Sequence, residues 1–187
     1  MTDRNNTSDS APAATSLPAS RRSAHSAVRE QVYMIFPNDL NNNDTVFGGL
    51  IMSQMDRLCA VVADRHAGAI CSTVGVDAVH FLKPARRGDV LIFSACVNRA
   101  WNSSMEVGCR VEAETVAGTE RRHILSAYLT FVAQDADGRP QPVPALVVET
   151  DQERRRFGEA QLRRESRLAH AEAVKRLRTP TTTGPAA

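Results

Sequence analysis

From residue 70 onward the chain alternates apolar and polar positions with period two, through four successive stretches at 70–81, 89–101, 103–116 and 121–134. Each is rich in Val, Ile, Thr and aromatic residues and is bounded by turn formers, which predicts four strands. In the third, Met105, Val107, Cys109, Val111 and Ala113 fall on one face, while Glu106, Arg110, Glu112 and Glu114 fall on the other. That pattern predicts one dry face and one wet face. An earlier stretch, 27–36, carries Val28, Val32, Met34 and Phe36 at even spacing and predicts a strand ending at Pro37. A polar loop dense in turn formers follows over 37–44. Then a proline-free apolar segment opens at Gly48-Gly49 and stops at Gly68, long enough for about five helical turns. It is apolar around most of its circumference, so it predicts a helix largely enclosed by other structure. Consecutive strands with short connections form an antiparallel sheet, and one enclosed helix is the element available to cover its dry face. The expected fold is α+β, a single domain in which a curved antiparallel sheet wraps a central helix.

The flanks add to this core without changing its class. Residues 1–26 are rich in Ser, Thr, Ala, Pro and Asn and poor in aromatics, and they predict a disordered tail. The sheet-and-helix domain takes up 27–150, a charged helix capped by Thr150 or Asp151 is predicted over 151–178, and 179–187 reads as a flexible tail. No apolar run approaches the roughly 20 residues of a membrane-spanning helix, which predicts no membrane partner. The first residues lack a signal-peptide core, and Asp3 and Asp9 argue against a transit peptide, so the expected location is cytoplasmic. A net charge of +2 is too small for a nucleic-acid footprint. The C-terminal arginines are interleaved with Glu153, Glu159, Glu165 and Glu172, which favours a solvated helix face over a polyanion-binding surface. Cys59, Cys71, Cys96 and Cys109 lack the paired short spacings of metal or redox motifs and read as reduced, buried small residues. No metal is expected.

Several enzyme classes lose their markers. There is no G-x-S-x-G elbow, no H-E-x-x-H, no phosphate loop and no G-x-G-x-x-G fingerprint. What stands out is Asp56, a carboxylate in the middle of the apolar helix. Desolvating such a group is costly, so it calls for a reason: a base or nucleophile beside an apolar pocket, or a pairing with Arg57 or with water beside Ser53. Gly48 and Gly49 let a ligand approach the backbone, and the free N–H groups of a first turn suit a developing oxyanion; a tight turn packing the helix on the sheet is the alternative. Asn41, Asn42 and Asn43 have the composition of a turn. His80 and His123 alternate with apolar strand residues and read as packing or sheet-face residues.

Taken together, Pro37-x3-Asn41-x5-Phe47-Gly48-Gly49-x6-Asp56, Val74-x-Val76-Asp77-x3-Phe81, Gly88-Asp89 and Asn102-x-Ser104-Met105-Glu106 resemble the hotdog-fold acyl-CoA thioesterases of the cytosolic acyl-CoA hydrolase branch. The resemblance runs over roughly 28–158 and includes the late Pro142-Val143-Pro144-x-Leu146 and Glu149-Thr150. It implies hydrolysis of acyl-CoA to a carboxylic acid and coenzyme A without a cofactor. Asp56 would be general base or nucleophile, Asn41 would come from the partner subunit, and the Gly49 N–H would polarise the thioester carbonyl. It further implies Phe47 and Gly48 at the substrate, Asn102, Ser103 and Ser104 near the coenzyme, and self-association as a dimer and as a homohexamer, a trimer of dimers. One departure is Asp44, where relatives often carry Gly, which bears on the loop angles that present Asn41. For the coenzyme phosphates Lys83, Arg86 and Arg139 are candidate rim cations, with solvated turn charges as the other reading. Two rivals remain open. A hydratase would need a catalytic His, and the helix offers only His66 near its far end; a non-catalytic acyl-CoA-binding or interaction module of the same fold would bind without turnover.

Overall fold

The structure is a computed structural model that describes residues 19–178 apart from 116 and 119. Most of the tail expected over 1–26, and all of that over 179–187, lies outside the described residues. The chain enters with β1 (Ser20–Arg22) and a single helical turn, α1 (Ser23–Ser26). These seven residues fall within the tail expected to be disordered, so the ordered part starts earlier than composition suggests. The reason is tertiary: β1 pairs in parallel with the short β7 (Ala145–Val147), and Ser23 Oγ donates to the Val97 carbonyl at 3.2 Å.

The core follows the predicted period. The strands β2 (Val28–Met34), β3 (Cys71–Val76), β4 (Asp89–Ala100), β5 (Ser104–Thr115) and β6 (Arg121–Ala133) form one antiparallel sheet in the order β2-β4-β5-β6-β3. Its inner face presents Leu91, Phe93, Val97, Val107, Val111, Leu125, Leu129 and Phe131, all buried. Against it lies α2 (Gly48–Ala67), which contributes Ile51, Met55, Leu58, Cys59, Val62 and Ala63. Each fully buried Leu, Ile or Phe stabilises the fold by about 1.5–3 kcal/mol relative to exposure. Gly68 ends α2 in the left-handed region, φ 69°, and donates its N–H to the Asp64 carbonyl at 2.8 Å. The Asp64 carboxylate in turn accepts the Cys71 N–H at 2.8 Å, which fixes the entry into β3.

Three expectations are corrected. First, β3 ends at Val76 and does not run to residue 81. Its register slips between Thr73 and Gly75, and after Asp77 the chain leaves the sheet to cross the start of α2. Second, α2 is enclosed on one side only: Gly49, Met52, Ser53, Arg57 and Val61 are exposed, since a single sheet layer covers one face of a helix. Third, Glu106 is not on a wet face but has no exposed surface at all. The cover is α3 (Asp151–Arg178), which lies across the outer face of the sheet.

A reciprocal cap starts α3: Thr150 Oγ1 accepts the Glu153 N–H at 3.2 Å, and Glu153 Oε2 accepts the Thr150 N–H at 3.0 Å. The backbone N–H groups of Glu149 and Thr150 hold the Glu153 carboxyl below its usual range. Cation–ring contacts fasten the helix to the sheet side: Arg163 and Arg164 of α3 lie over Tyr128 at 3.5 Å and Trp101 at 4.5 Å, and Arg99 of β4 lies over Phe157 of α3 at 4.1 Å. The arginines expected on a solvated helix face are therefore partly structural. Arg163 Nη2 donates to Glu106 Oε1 at 2.6 Å, and Asn98 Nδ2 donates to the same oxygen at 3.1 Å.

Candidate active site

The loop between β2 and α2 is held at several points. Asp39 is buried, and its Oδ2 accepts the Phe36 N–H at 2.7 Å and the Tyr33 hydroxyl at 3.1 Å. Burial, with the carboxylate beside it, raises the Tyr33 phenol above its ordinary value. The Phe47 N–H reaches the Asp39 carbonyl at 2.8 Å, and the Val46 N–H reaches the Ala85 carbonyl at 2.8 Å. Inside this frame Asn41 organises its own turn: Oδ1 accepts the Asn43 N–H at 2.8 Å, and Nδ2 donates to Thr45 Oγ1 at 2.9 Å. The amide has a second N–H left for another partner. Asp44 sits at φ 53°, the left-handed conformation a glycine would adopt, and aspartate is among the residues that tolerate it. The departure from Gly at this position thus leaves the turn around Asn41 intact.

At the start of α2 the Leu50 N–H reaches back to the Phe47 carbonyl at 3.0 Å, while the N–H groups of Gly48 and Gly49 have no acceptor among the described residues. A cavity of about 420 Å³ opens there, lined by Thr45, Gly48, Ile51, Phe81, Lys83 and Ile124 among others. The Phe81 ring rests on Gly48, where a Cβ would come within 3.2 Å of Cζ. At Gly49 a Cβ would come within 2.7 Å of the Phe47 ring. Both glycines are needed for these rings to lie on the backbone.

Asp56 is half-buried on the open side of α2 and makes no pair with Arg57; its Oδ1 accepts the Thr73 hydroxyl at 2.8 Å. The sequence does not single out Thr73, because nothing in its strand separates it from any other β-branched position. Asp56 follows Gly49 by seven residues, two helical turns, which puts the two on the same face about 10 Å apart along the axis. One carbonyl cannot touch both within one chain.

Of the remaining sequence candidates, Lys83 reaches the cavity, whereas Arg86 is exposed nearby and its N–H bonds Asp89 Oδ2 at 2.8 Å. Arg139 pairs with Asp137 at 3.4 Å, in a turn that does not line the cavity. Asn102, Ser103 and Ser104 are not brought to the cavity within a chain. Arg164 Nη1 donates to Ser104 Oγ at 3.3 Å, and the carbonyls of Ser103 and Asn102 accept the N–H groups of Ala133 and Val143. His66 is fully buried with Nε2 at 3.0 Å from the Pro144 carbonyl, and burial lowers its pKa below the ordinary histidine value. It reads as a neutral structural residue. The four cysteines are free thiols, as expected; Cys59 and Cys109 are buried, but Cys71 and Cys96 only partly so. A hydrogen bond with Cys109, then burial, holds the Cys59 thiol far above its usual value, and burial pushes Cys71 up to about 12. Neither supplies a thiolate nucleophile at neutral pH. Among the described residues no group of three or more His, Cys, Asp and Glu could hold a metal ion.

Residues 43–119 match the thioesterase superfamily model. The uncharacterized acyl-CoA thioester hydrolase YkhA of Bacillus subtilis is 38% identical over 143 residues, 75% of this chain and 83% of its own length. Mouse acyl-coenzyme A thioesterase 11 is 39% identical over 140 residues; the match spans 74% of this chain but only 24% of that longer protein. Among solved structures, the acyl-CoA hydrolase of Staphylococcus aureus, in complex with butyryl coenzyme A, coenzyme A and coenzyme A disulfide, superposes with a TM-score of 0.78 at 36% identity. That match covers 84% of this chain and 95% of the hydrolase. A hexameric acyl-CoA thioesterase superposes at 0.79 with 32% identity, covering 82% of this chain and 98% of its own. Variants of the S. aureus enzyme carry alanine in place of an Asn, an Asp and a Thr that stand 15 and 17 residues apart in sequence. Asn41, Asp56 and Thr73 have the same spacings. With the sheet order, the central helix and these relatives all in agreement, the chain belongs to the thioesterase superfamily of hotdog-fold proteins.

Proposed function

We propose that the chain hydrolyses acyl-CoA thioesters to a free carboxylic acid and coenzyme A, in a site that two chains build together. The observation that carries this is the placement of Gly49 and Asp56 two turns apart on the uncovered face of α2. A twofold axis crossing that face near Met52 and Ser53 would set two α2 helices antiparallel, so that Gly49 of one chain meets Asp56 of the partner subunit. Exposed apolar residues follow the same side, with Met52 on α2 and Val74 and Val76 on the edge strand β3. Exposed apolar surface of this kind marks an association surface.

In that arrangement the thioester oxygen takes the free N–H groups of Gly48 and Gly49, where the helix dipole favours developing negative charge. Asp56 of the partner subunit, oriented by its own chain's Thr73, either draws the proton from an attacking water or attacks the carbonyl itself. Asn41 uses its remaining amide N–H to orient the water or the carboxylate. Phe47 and Phe81 flank the acyl group, and Lys83 and Arg86 stand at the rim for the coenzyme phosphates. Asn102, Ser103 and Ser104 reach the coenzyme only if a second chain carries it to them. Water is the one co-reactant, so the reaction calls for no cofactor or metal. The working unit is a dimer and the assembly a homohexamer, three dimers together, in keeping with relatives described as hexameric. We place the protein in the cytoplasm, as a relative 35% identical is called cytosolic. No helix among the described residues is long and apolar enough to cross a membrane.

The test is a panel of acyl-CoAs from acetyl to palmitoyl, with coenzyme A thiol release as readout. Turnover of at least one member, lost in Asp56→Ala while binding persists, is the expected result. Turnover retained by Asp56→Ala would remove the mechanism, and binding with no turnover by the unaltered chain would make this a binding module. Single turnover in ¹⁸O-labelled water distinguishes the two roles of Asp56, because only a nucleophilic carboxylate takes up the label.

A further inference from the structure

The charged network under α3 has no part in the chemistry above, yet it ends on the segment that lines the cavity. Glu106, with no exposed surface, receives Arg163 at 2.6 Å and Asn98 at 3.1 Å, and Arg167 Nη1 stands 3.4 Å from its Oε2. The same Arg167 nitrogen donates to both oxygens of Asp77, at 3.0 and 2.8 Å. Asp77 is the first residue past β3, and its N–H bonds the Tyr128 carbonyl at 3.0 Å. The next backbone anchor is the Leu82 N–H on the Ile124 carbonyl at 2.8 Å. Between the two, residues 78–81 lie outside the sheet, in a span that carries Phe81 over Gly48 and leads directly into Lys83.

We infer that Arg167 is a positioning residue for substrate binding: it holds the Asp77 end of this span taut from α3, and so sets where Phe81 and Lys83 stand at the cavity. Two carboxylates and two guanidiniums share a site that is mostly screened from water, where removing one partner leaves an uncompensated charge. Without Arg167, Asp77 keeps only its backbone bond, and the carboxylate has reason to turn toward solvent. The span is four residues long, about 13 Å when extended, so a rotation at Asp77 is carried directly to Phe81. Neither Asp77 nor Arg167 lines the cavity. The effect therefore falls on how well substrate is held and not on the bond-breaking step.

This inference rests on the proposed hydrolase activity for its kinetic arm, and hydrogen exchange supplies an arm that does not. Arg167→Ala and, separately, Asp77→Asn in the full chain should raise KM for acyl-CoA by about three- to tenfold, with kcat changed less than about twofold, the pattern of lost uniform binding. The amides of Asp77 and Leu82, which bond the Tyr128 and Ile124 carbonyls at the two ends of the span, should exchange faster in both variants. Asp77→Asn leaves the Arg163–Glu106 pair in place, so it carries the test if Arg167→Ala folds poorly. Phe157→Ala, which removes the ring under Arg99 and loosens α3 elsewhere, should leave both readouts unchanged. An unaltered KM in Arg167→Ala and Asp77→Asn, or an equal rise in Phe157→Ala, overturns the inference. Unchanged exchange at Asp77 and Leu82 overturns it as well, even if the unaltered chain proves to hydrolyse no thioester.

Discussion

Mixing two inactive variants gives the sharpest test of a site built from two chains. Asp56→Ala removes the carboxylate and Asn41→Ala removes the amide; each should cost about 10²- to 10⁴-fold in turnover when every chain carries it. The geometry fixes what their mixture does. Along α2, Gly49 and Asp56 are seven residues apart, about 10 Å at 1.5 Å per residue, so a carbonyl on the Gly49 N–H is out of reach of the same chain's Asp56. If each site takes Asn41 and Gly49 from one chain and Asp56 from the other, a chain lacking Asp56 can still present Asn41, and the converse holds. In a statistical one-to-one mixture, half the sites draw Asp56 from a competent chain and half of those draw Asn41 from a competent chain. About a quarter of the sites are then intact, whatever the higher assembly, because the count is made site by site. Against parents at about 1% or less, recovery toward 25% is unmistakable. The assay is co-expression of the two variants with different tags, purification of all chains together, and coenzyme A thiol release on the best substrate of the panel. Activity no greater than the mean of the two parents would refute the shared site and return Asp56 to a role within its own chain.

Three further outcomes follow from packing and charge. Glu106→Ala removes the buried carboxylate that pairs with Arg163 and leaves Arg167 only Asp77, and should cost about 3–5 kcal/mol of stability, read from urea unfolding. Gly108→Ala places a Cβ 2.6 Å from Nδ2 of the buried Asn98, and overpacking there should cost about 1–3 kcal/mol by the same measurement; a value near zero would mean that Asn98 is free to move. Burial keeps His66 neutral with its pKa below the unfolded value, so its share of stability is fully present above about pH 6.5 and is lost as pH falls toward the folded pKa, at up to about 1.4 kcal/mol per pH unit. Unfolding midpoints from pH 8 to pH 5 should show that slope and His66→Gln should flatten it; identical slopes would remove the assignment.

Much of the fold was legible because it depends on local period. Strict alternation marked β4, β5 and β6 to within a residue or two, and the absence of proline between two glycine signals marked α2. Three misreadings share one cause. Glu106 looked solvated, the α2 face looked enclosed and residues 77–81 looked like strand, since a pattern states which positions are alike but not what lies above them. The same holds for Thr73. Its hydroxyl gains meaning only because the slip between Thr73 and Gly75 and the pairing of β3 with β6 bring it to 2.8 Å from Asp56.

The sequence by itself determined the elements, the apolar inner face, and a short set of polar candidates in Asn41, the Gly48-Gly49 pair and Asp56, because helix and strand periods and backbone freedom are properties of neighbouring residues. Tertiary structure decided the rest: that Gly48 and Gly49 keep their N–H groups free beneath two aromatic rings, that Asp56 lies two turns away on an open face, and that α3 buries Glu106 and holds Asp77. These are distances between residues far apart in the chain. They are set by how one sheet layer covers one side of a helix and leaves the other side open.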